Sequence, residues 1–249
     1  MMATTLFISD LHLSPSEPKR IQLAANFINT HASKAKALYL LGDVFNTWLG
    51  DDIVPSELMP FINELQTLHK AGIKTYLMVG NRDFMMGQRF AHHAGCELLD
   101  DHCVITLDGQ RTLLLHGDTL CIDDIPYQRY RKWTRNPILQ WCFRHLSTAY
   151  RQGISDKIKE KSRQQKQTKS AMIMDVNQDE VIRIMEKYNV TQLIHGHTHR
   201  PAFHSLTVND QQAMRIVLGD WIDEISYLQY GNQQAKLIDY RITDSIVVK

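Results

Sequence analysis

Five short polar motifs in this chain each follow a stretch whose composition is typical of a β-strand. The motifs are Asp10-Leu11-His12, Gly42-Asp43, Gly80-Asn81-Arg82-Asp83, His116-Gly117-Asp118 and His195-Gly196-His197-Thr198-His199. In open α/β sheets, ligand sites form outside the carboxyl ends of the strands. We therefore expect the aspartate, asparagine and histidine side chains of these motifs to converge on one crevice.

The chemistry expected at this crevice follows from the types of side chain. Imidazole and carboxylate groups without a thiolate suit manganese, iron, zinc or similar ions. A carboxylate can bridge two ions, and Asp43 is the candidate for this role. Two ions about 4 Å apart can activate a water and hold phosphoryl oxygens for in-line attack. The motifs therefore predict a two-metal phosphoester hydrolase.

The elements that must position these motifs alternate between strand and helix over the first two thirds of the chain. Continuous apolar runs predict buried parallel strands, and apolar residues at helical spacing predict amphipathic helices. The predicted strands cover residues 6–8, 37–41, 73–79, 104–107, 111–115, 192–194, 202–208, 214–218, 226–230 and 235–240. The predicted helices cover residues 18–32, 55–71, 84–94 and 177–188. This order is typical of a layered α/β sandwich.

The segment 122–170 interrupts this alternation and is predicted to be a helical insertion. Residues 129–169 carry a net charge of +10, whereas the rest of the chain carries −9. Basic amphipathic helices bind anionic membrane surfaces. Two other interpretations stay open: nucleic acid binding by basic and aromatic side chains, and simple packing of the helices onto the core. We predict a core of 1–121 and 171–240, a cap of 122–170 and a loosely held tail of 241–249.

The cysteines and the apolar runs bear on the compartment. None of the four cysteines forms a C-x-x-C pair, and the first residues lead directly into a strand. This usage predicts a reduced, cytoplasmic protein. No apolar run reaches the roughly 18 residues that a membrane span needs, so we expect any membrane contact to be peripheral.

Taken in order, the five motifs resemble those of the calcineurin-like metallophosphoesterase superfamily over about residues 4 to 220. The resemblance implies an αββα sandwich with two metal ions. One ion would be held by Asp10, His12, Asp43 and His199, and the other by Asp43, Asn81, His116 and His197. Asp118 and His195 would support these ligands from outside.

Two positions depart from the superfamily pattern. Arg82 stands where a histidine commonly protonates the leaving oxygen, and Asn46 stands where many members have an aspartate. Arginine stays protonated at neutral pH and cannot donate a proton, but it can neutralise phosphate charge. We therefore expect a leaving group that departs without a proton, as a phosphate does when a pyrophosphate bond is cleaved. The alternative is that Arg82 only ties down its loop.

Longer stretches narrow the resemblance to one family of this superfamily, the pyrophosphohydrolases of UDP-2,3-diacylglucosamine. The stretches are FISDLHL, GDVFNTWLGDD, GNRDFMMGQRF, LLHGDTLCIDD, AMIMDVNQ and HGHTHRPAFH. The resemblance implies that water attacks the α-phosphorus and releases UMP and 2,3-diacylglucosamine 1-phosphate, lipid X, in lipid A biosynthesis. It further implies two Mn²⁺ ions and a peripheral location on the cytoplasmic face of the inner membrane. The cap would meet the membrane surface and the acyl chains. Neither a nucleic acid nor an obligate protein partner is expected.

The same resemblance assigns roles to individual residues. Asp43, Asn81 and Arg82 would act in catalysis. The substrate would be contacted by Asn81, Arg82, Asp124, Ser162, Lys166, Lys169 and His197. The family often has asparagine where this chain has Lys166, which is a further departure from its pattern. The alternative enzymatic function is that of a metal-dependent nuclease or nucleotide phosphodiesterase. The alternative non-enzymatic function is that of a scaffold protein that has kept the fold.

Overall fold

The computed structural model describes residues 4–168, 175–222, 224–241 and 246–248, and the side chains of 161–168 and 246–248 are outside that description. The strands are β1 (Thr5–Ile8), β2 (Ala37–Leu41), β3 (Lys74–Met78), β4 (Glu97–Leu98), β5 (His102–Leu107), β6 (Gln110–Leu115), β7 (Gln192–His195), β8 (Ala202–Val208), β9 (Gln211–Val217), β10 (Ser226–Gly231), β11 (Gln234–Asp239) and β12 (Ile246–Val248). The helices are α1 (Pro18–Thr30), α2 (Met59–Lys70), α3 (Gln88–Ala94), α4 (Ile125–Thr134), α5 (Pro137–Arg144), α6 (Thr148–Thr168) and α7 (Gln178–Tyr188).

The strands form two sheets that are parallel in their centres. The first has the order β12-β11-β10-β1-β2-β3-β4, in which β1 to β4 run parallel and the other pairs are antiparallel. The second has the order β5-β6-β7-β9-β8, in which β6, β7 and β9 run parallel. The carboxyl ends of β1, β2, β3, β6 and β7 are the ends from which the five polar motifs emerge.

The core lies in three layers between and outside these sheets. Phe7 and Leu41 of the first sheet pack against Leu114 and Ile194 of the second in one buried cluster. Helices α1, α2 and α3 cover the outer face of the first sheet, and α7 covers the outer face of the second. This arrangement is the layered αββα sandwich, so the predicted fold class is confirmed.

The helices form where local sequence favours them. Helix α1 begins at Pro18, which suits the first helical position, and buries Ile21, Ala24 and Ile28 on one face. Helix α7 begins after Asn177, whose side chain accepts a hydrogen bond of 3.1 Å from the backbone nitrogen of Glu180. Such a cap satisfies a donor that the first turn leaves unpaired.

The helix predicted over residues 84–94 begins only at Gln88, and the prediction is wrong for residues 84–87. The carboxylate of Asp51 accepts hydrogen bonds from the backbone nitrogens of Gly87 and Phe90, at 3.1 and 3.0 Å. A distant aspartate thus sets the helix start, because it satisfies the backbone donors there. The indole of Trp48 donates to the same carboxylate at 2.9 Å.

The expectation of a loosely held tail is wrong for the part of the tail that the structure describes. Strand β12 pairs antiparallel with β11 at the edge of the first sheet. The guanidinium of Arg241 donates to Asp220 at 2.7 Å and to Asp239 at 2.6 Å. Backbone pairing and these two ion pairs tie the chain end to the core.

Helices α4, α5 and α6 fill the segment predicted as a cap and expose large apolar side chains. The exposed fractions are 68% for Trp133, 70% for Ile138, 60% for Trp141 and 72% for Tyr150. Helix α6 is attached to the core through Arg151, which is buried and donates to both carboxylate oxygens of Asp52. Within the described residues, no helix combines the length and apolarity needed to cross a bilayer.

Candidate metal centre

The loop after β1 and the loop after β2 are joined by backbone hydrogen bonds. The backbone nitrogen of Asp10 donates to the carbonyl oxygen of Gly42 at 3.0 Å, and that of His12 donates to Asp43 at 2.9 Å. Because the two strands are parallel neighbours, these bonds extend their pairing beyond the regular sheet. The side chains of Asp10, His12 and Asp43 are thereby brought to one place.

Left-handed backbone is concentrated at the predicted ligands. The φ angle is 55° at Asp10, 49° at His12, 50° at Asp43, 69° at His197 and 57° at His199. Residues other than glycine pay about 1–3 kcal/mol for sparsely populated backbone conformations, which cluster at functional sites. Five of the seven predicted ligands are therefore held in place by the fold at a cost in stability.

Two glycines let the loops approach the ligands closely. A Cβ atom at Gly80 would lie less than 3.0 Å from the backbone and carboxylate of Asp43, and one at Gly196 less than 3.0 Å from Asp10 and Ser9. Only a residue without a side chain fits at either point.

The first group of ligands surrounds one carboxylate oxygen. Oδ1 of Asp10 lies 3.2 Å from Nε2 of His199 and 3.9 Å from Nε2 of His12. The two imidazole nitrogens are 3.3 Å apart. Oδ2 of Asp10 accepts from the backbone nitrogen of His197 at 2.8 Å, which leaves Oδ1 without a hydrogen-bond partner among the described residues.

The second group centres on His116. Its Nδ1 donates to the carbonyl oxygen of Leu41 at 2.9 Å, and its Nε2 lies 3.0 Å from Oδ1 of Asn81. In the neutral ring, Nε2 then carries a lone pair that faces an amide oxygen lone pair. A proton on the ring, or a metal ion held by both atoms, would make this contact favourable. The ring of His197 lies 5.1 Å from that of His116.

Asp43 lies between the two groups. Its Oδ1 is 3.7 Å from Nε2 of His116, and its Oδ2 is 3.8 Å from Nδ1 of His12. Ligand atoms of Asp10, His12 and His199 lie within 4.8 Å of one another, as do those of Asp10, Asp43 and His116. The two oxygens of Asp43 thus face histidines of both groups.

The protonation of the site fits cation binding. Burial lowers the pKa of His12 to about 3 and that of His197 to about 4, so both rings are neutral ligands at neutral pH. Burial alone would raise the pKa of Asp10, but contact with His199 and the charge of His116 hold it well below its usual range. Burial opposes protonation of His116, yet Asp43 and Asp10 raise its pKa, which again shows that the site attracts positive charge.

Arg82 and Asn46, the two departures from the superfamily pattern, contact each other. Nη1 of Arg82 donates to Oδ1 of Asn46 at 3.0 Å, and Nε lies 3.7 Å from Oδ2 of Asp43. The Arg82 side chain is 35% exposed, so the guanidinium is accessible beside the carboxylates. It both contacts its loop and faces the centre of the site.

The residues expected to support the ligands lie directly outside them. His195 is buried, donates from Nδ1 to the carbonyl oxygen of Gly196 at 2.8 Å, and accepts at Nε2 from Arg215 at 3.3 Å. Asp118 is buried and accepts from Nε of Arg131 at 2.8 Å and from the hydroxyl of Tyr127 at 2.5 Å. These contacts hold the backbone on either side of the ligands.

Several supporting residues were not predicted. Oδ2 of Asp220 lies 3.2 Å from Nδ1 of His199, which orients that ring. Gly219-Asp220 follows a predicted strand, as the other motifs do, and this signal could have found it. The motif aspartate Asp83 is buried and accepts from the backbone nitrogens of Gly80 and Phe45 at 2.7 and 3.2 Å.

Helix α4 and the residue that caps its end contribute a face of three unpredicted residues spaced four apart. Tyr127 and Arg131 contact Asp118, and Nη2 of Arg135 donates to the carbonyl oxygen of Gly80 at 2.9 Å. Both guanidinium groups also contact Asp101, at 2.7 and 3.6 Å. One helix of the insertion therefore braces two of the ligand loops.

The predicted substrate contacts are distributed differently. Asn81, Arg82 and His197 lie at the centre described above. Asp124 caps α4, where its side chain accepts from the backbone nitrogen of Tyr127 at 3.1 Å. Ser162 and Lys166 are in α6, where the side chains are not described, and Lys169 lies outside the described residues.

Comparisons with known proteins identify the family. The family model for calcineurin-like phosphoesterases matches residues 3–201. The chain is 48% identical to a UDP-2,3-diacylglucosamine hydrolase of Aliivibrio fischeri, over 92% of this chain and 95% of that one. It is 46% identical to a protein of the same name from Vibrio parahaemolyticus, over 94% and 97% of the two chains. A third, from Pseudomonas paraeruginosa, is 47% identical over 88% and 91%.

Proposed function

We propose that this chain hydrolyses the pyrophosphate bond of UDP-2,3-diacylglucosamine. The premise is its family: the chain belongs to the calcineurin-like phosphoesterases and, within them, to the UDP-2,3-diacylglucosamine hydrolases. Water would attack the α-phosphorus and give UMP and 2,3-diacylglucosamine 1-phosphate, lipid X, in lipid A biosynthesis. Family membership makes the chain a hydrolase with a divalent metal cofactor. The shared name of its relatives supports the substrate.

The observation that carries the proposal is the position of Asp43. Its two oxygens face His116 on one side and His12 on the other, at 3.7 and 3.8 Å. This arrangement supports two ions, one held by Asp10, His12, Asp43 and His199 and the other by Asp43, Asn81, His116 and His197. Oxygen and imidazole ligands without thiolate are compatible with Mn²⁺, the metal we propose. Bound there, such ions supply an activated water and neutralise phosphoryl oxygens.

The protein's own contribution to the reaction begins with Arg82. Water adds to the α-phosphorus while the bond from that phosphorus to the bridging oxygen breaks, and the electron pair stays on the departing phosphate. A phosphate leaves as an anion, so it needs charge neutralisation rather than a proton. Arg82 carries a permanent charge, is accessible, and lies 3.7 Å from Asp43. Asn81 and Asp43 complete the proposed catalytic set: the amide of Asn81 would donate to the α-phosphate, and the carboxylate of Asp43 would hold the ions.

The remaining substrate contacts are proposed for the side of the site that faces the insertion. Asp124, Ser162, Lys166, Lys169 and His197 would bind the sugar and phosphate of the lipid half. Asp124 is buried at the start of α4, close in sequence to Tyr127, whose ring lies 6.2 Å from that of His197. This proximity supports the assignment of the lipid half to this side.

We further propose that the cap brings the protein to the cytoplasmic face of the inner membrane as a peripheral protein. Trp133, Ile138 and Trp141 expose most of their surface on α4 and α5, within the most basic segment of the chain. Aromatic and aliphatic side chains among lysines and arginines suit the interface of an anionic bilayer. Neither a nucleic acid nor an obligate protein partner is part of this proposal.

The experiment that tests the reaction is UMP release from UDP-2,3-diacylglucosamine in detergent micelles, with and without Mn²⁺, beside a generic phosphodiester. We expect metal-dependent release from the lipid that greatly exceeds turnover of the diester. Turnover of the diester without release from the lipid would keep the metal site and reject the substrate.

Binding to liposomes tests the membrane contact. Flotation with vesicles that contain phosphatidylglycerol should recover the protein, and a Trp133→Ser, Trp141→Ser variant should be lost from the vesicles. The matched control is Tyr240→Ser, since Tyr240 is also an exposed aromatic residue, at 57%, but lies outside the cap. Equal recovery of both variants would reject the cap as the contact surface.

A metal-dependent nuclease is the alternative that the same ligands and the basic cap could serve. Cleavage of a nucleic acid expels an alkoxide, which needs a proton that Arg82 cannot give. Binding of single-stranded DNA over a salt titration separates the two functions. Tight binding that weakens steeply with salt would favour the nuclease.

A further inference from the structure

A cavity of 370 Å³ adjoins the predicted ligand His199. It is lined by the loop that follows the last ligand motif and by one face of β8 and β9, and the lining residues include Thr198, Arg200, Pro201, Ala202, His204 and Arg215. None of the described residues of α4, α5 or α6 lines it. Its volume lies in the range of small-molecule sites, about 300–1,000 Å³.

A buried cation forms part of the cavity lining. Arg215 is 4% exposed, and no carboxylate of the described residues lies within 4.0 Å of its guanidinium. Its Nη1 donates to Nε2 of His195 at 3.3 Å, whereas its Nε has no hydrogen-bond partner in the described part of the chain. A buried charge without a counterion is costly, so this wall favours electron-rich oxygen atoms.

The other charged groups of the cavity are already paired. Arg200 contacts Asp175 at 2.5 Å, and Arg241 contacts Asp239 at 2.6 Å. Pro201, Ala202 and Val217 add apolar surface. A cavity with donors, acceptors and apolar walls suits a neutral, polar, flat ligand better than a second highly charged phosphate.

The cavity and the insertion lie against different ends of the metal centre. Helix α4 and the residue that caps its end contact the loops of Asn81 and His116, through Arg135 on Gly80 and Arg131 on Asp118. The cavity instead adjoins His199, which belongs to the group with Asp10 and His12. In the proposed substrate, the lipid half would meet the insertion and the α-phosphate would lie at the predicted ligands. The nucleoside on the other side of the α-phosphate would then extend toward the cavity.

We infer that this cavity binds the uridine half of the substrate, an inference that rests on the proposed function. A carbonyl edge of uracil would face the wall formed by Arg215, and any hydrogen bond to Arg200, Arg241 or their carboxylate partners would exchange a contact within the existing ion pairs. Pro201, Ala202 and Val217 would pack against the flat ring. The site would then recognise the nucleoside independently of the acyl chains.

The test measures binding of UMP, AMP and inorganic phosphate to the Mn²⁺-loaded protein by calorimetry, for the native chain and two variants. Ala202→Leu fills the cavity from β8. Ser205→Leu is the control, because Ser205 is exposed on the opposite face of the same strand and does not line the cavity. Thermal unfolding and phosphate binding show whether each variant keeps the fold and the metal site.

We expect the native chain to bind UMP about tenfold or more tightly than phosphate, which corresponds to about 1.4 kcal/mol from nucleoside contacts. Ala202→Leu should abolish this preference and leave phosphate binding unchanged, whereas Ser205→Leu should keep both. The inference is overturned if UMP binds no better than phosphate, if AMP binds as well as UMP, or if Ala202→Leu keeps the preference. A native chain that prefers UMP but releases none from UDP-2,3-diacylglucosamine would reject the proposed function and leave the nucleoside site standing.

Discussion

Arg135, the residue that follows α4, donates a hydrogen bond of 2.9 Å from Nη2 to the carbonyl oxygen of Gly80, which precedes the predicted ligand Asn81. The guanidinium also lies 5.7 Å from the ring centre of Phe84, which follows the same motif. The first helix of the insertion is therefore a brace for a ligand loop as well as a part of the cap.

Replacement of Arg135 should weaken the metal centre. Residues that orient metal ligands typically change metal affinity or activity by about 10- to 100-fold. We expect Arg135→Ala to raise the Mn²⁺ concentration needed for half-maximal binding by at least about tenfold. The measurement is metal titration by calorimetry. The control is Arg129→Ala, an exposed arginine of α4, and equal metal affinity in the two variants would contradict the bracing role.

Asp43→Asn and His116→Ala should each lose nearly all turnover, because each removes a group from the centre of the site. We expect a loss on the order of 100-fold or more. Initial rates at saturating Mn²⁺ measure it. His92→Ala is the control, since His92 is exposed on α3 and belongs to none of the five motifs. Turnover within a few-fold of the native rate in Asp43→Asn would argue against a bridging carboxylate.

The contact between Arg82 and Asn46 predicts a change in catalysis rather than in folding. Asn46→Asp replaces a neutral acceptor with a carboxylate, which would hold the guanidinium more firmly and neutralise its charge. We expect kcat to fall several-fold with little change in thermal stability. Asn46→Ala, which removes the contact without adding charge, is the matched variant.

Arg82→His tests whether the leaving group needs a fixed positive charge or a proton. It restores the residue that the superfamily commonly uses as a proton donor but removes the permanent charge. We expect slower hydrolysis of the pyrophosphate bond, measured as kcat/KM on UDP-2,3-diacylglucosamine. A faster native reaction in this variant would reject the argument for a leaving group that needs no proton.

The attachment of α6 through Arg151 should contribute measurably to stability. Arg151 is buried and donates to Asp52 and to the carbonyl oxygens of Leu49 and Leu146. Hydrogen bonds of charged groups contribute about 1.5–3 kcal/mol each, less where one partner is exposed as Asp52 is. We expect Arg151→Ala to lower the free energy of unfolding by about 2 kcal/mol in urea titrations. The control Arg144→Ala, at an exposed position, should lower it much less.

The same ion pair has a defined pH dependence. The hydrogen bond from Arg151 holds the pKa of Asp52 below its ordinary value of 3.8. A lowered carboxyl pKa contributes stability that is present above the ordinary value and is lost as the pH falls through the folded value. The stability difference between the native chain and Asp52→Asn should therefore be largest at neutral pH and shrink below about pH 4. A difference that stays constant down to pH 2 would contradict this account.

The polar motifs and the regular elements could be predicted because both depend on neighbouring residues. Apolar runs and helical spacing predicted β2 and α1 almost to their ends, since backbone hydrogen bonding and one-sided burial repeat along the chain. The motifs predicted where the ligand residues meet, because strand ends of a parallel sheet share one edge. Motif order further determined the family.

Tertiary structure alone decided how the ligands are held. Asp51 sets the start of α3, Asp220 orients His199, and Arg135 braces the loop of Asn81, in each case across a long separation in sequence. Left-handed backbone at Asp10 and His199 likewise could not be located from sequence, because aspartate and histidine adopt it more often than most residues but still only in a small minority of cases. Such contacts depend on which distant segments pack together, and the periodic patterns of the sequence do not indicate this. The sequence by itself therefore determined the family and the motifs that carry the predicted ligands, while packing between the layers and the insertion decided how those side chains are arranged.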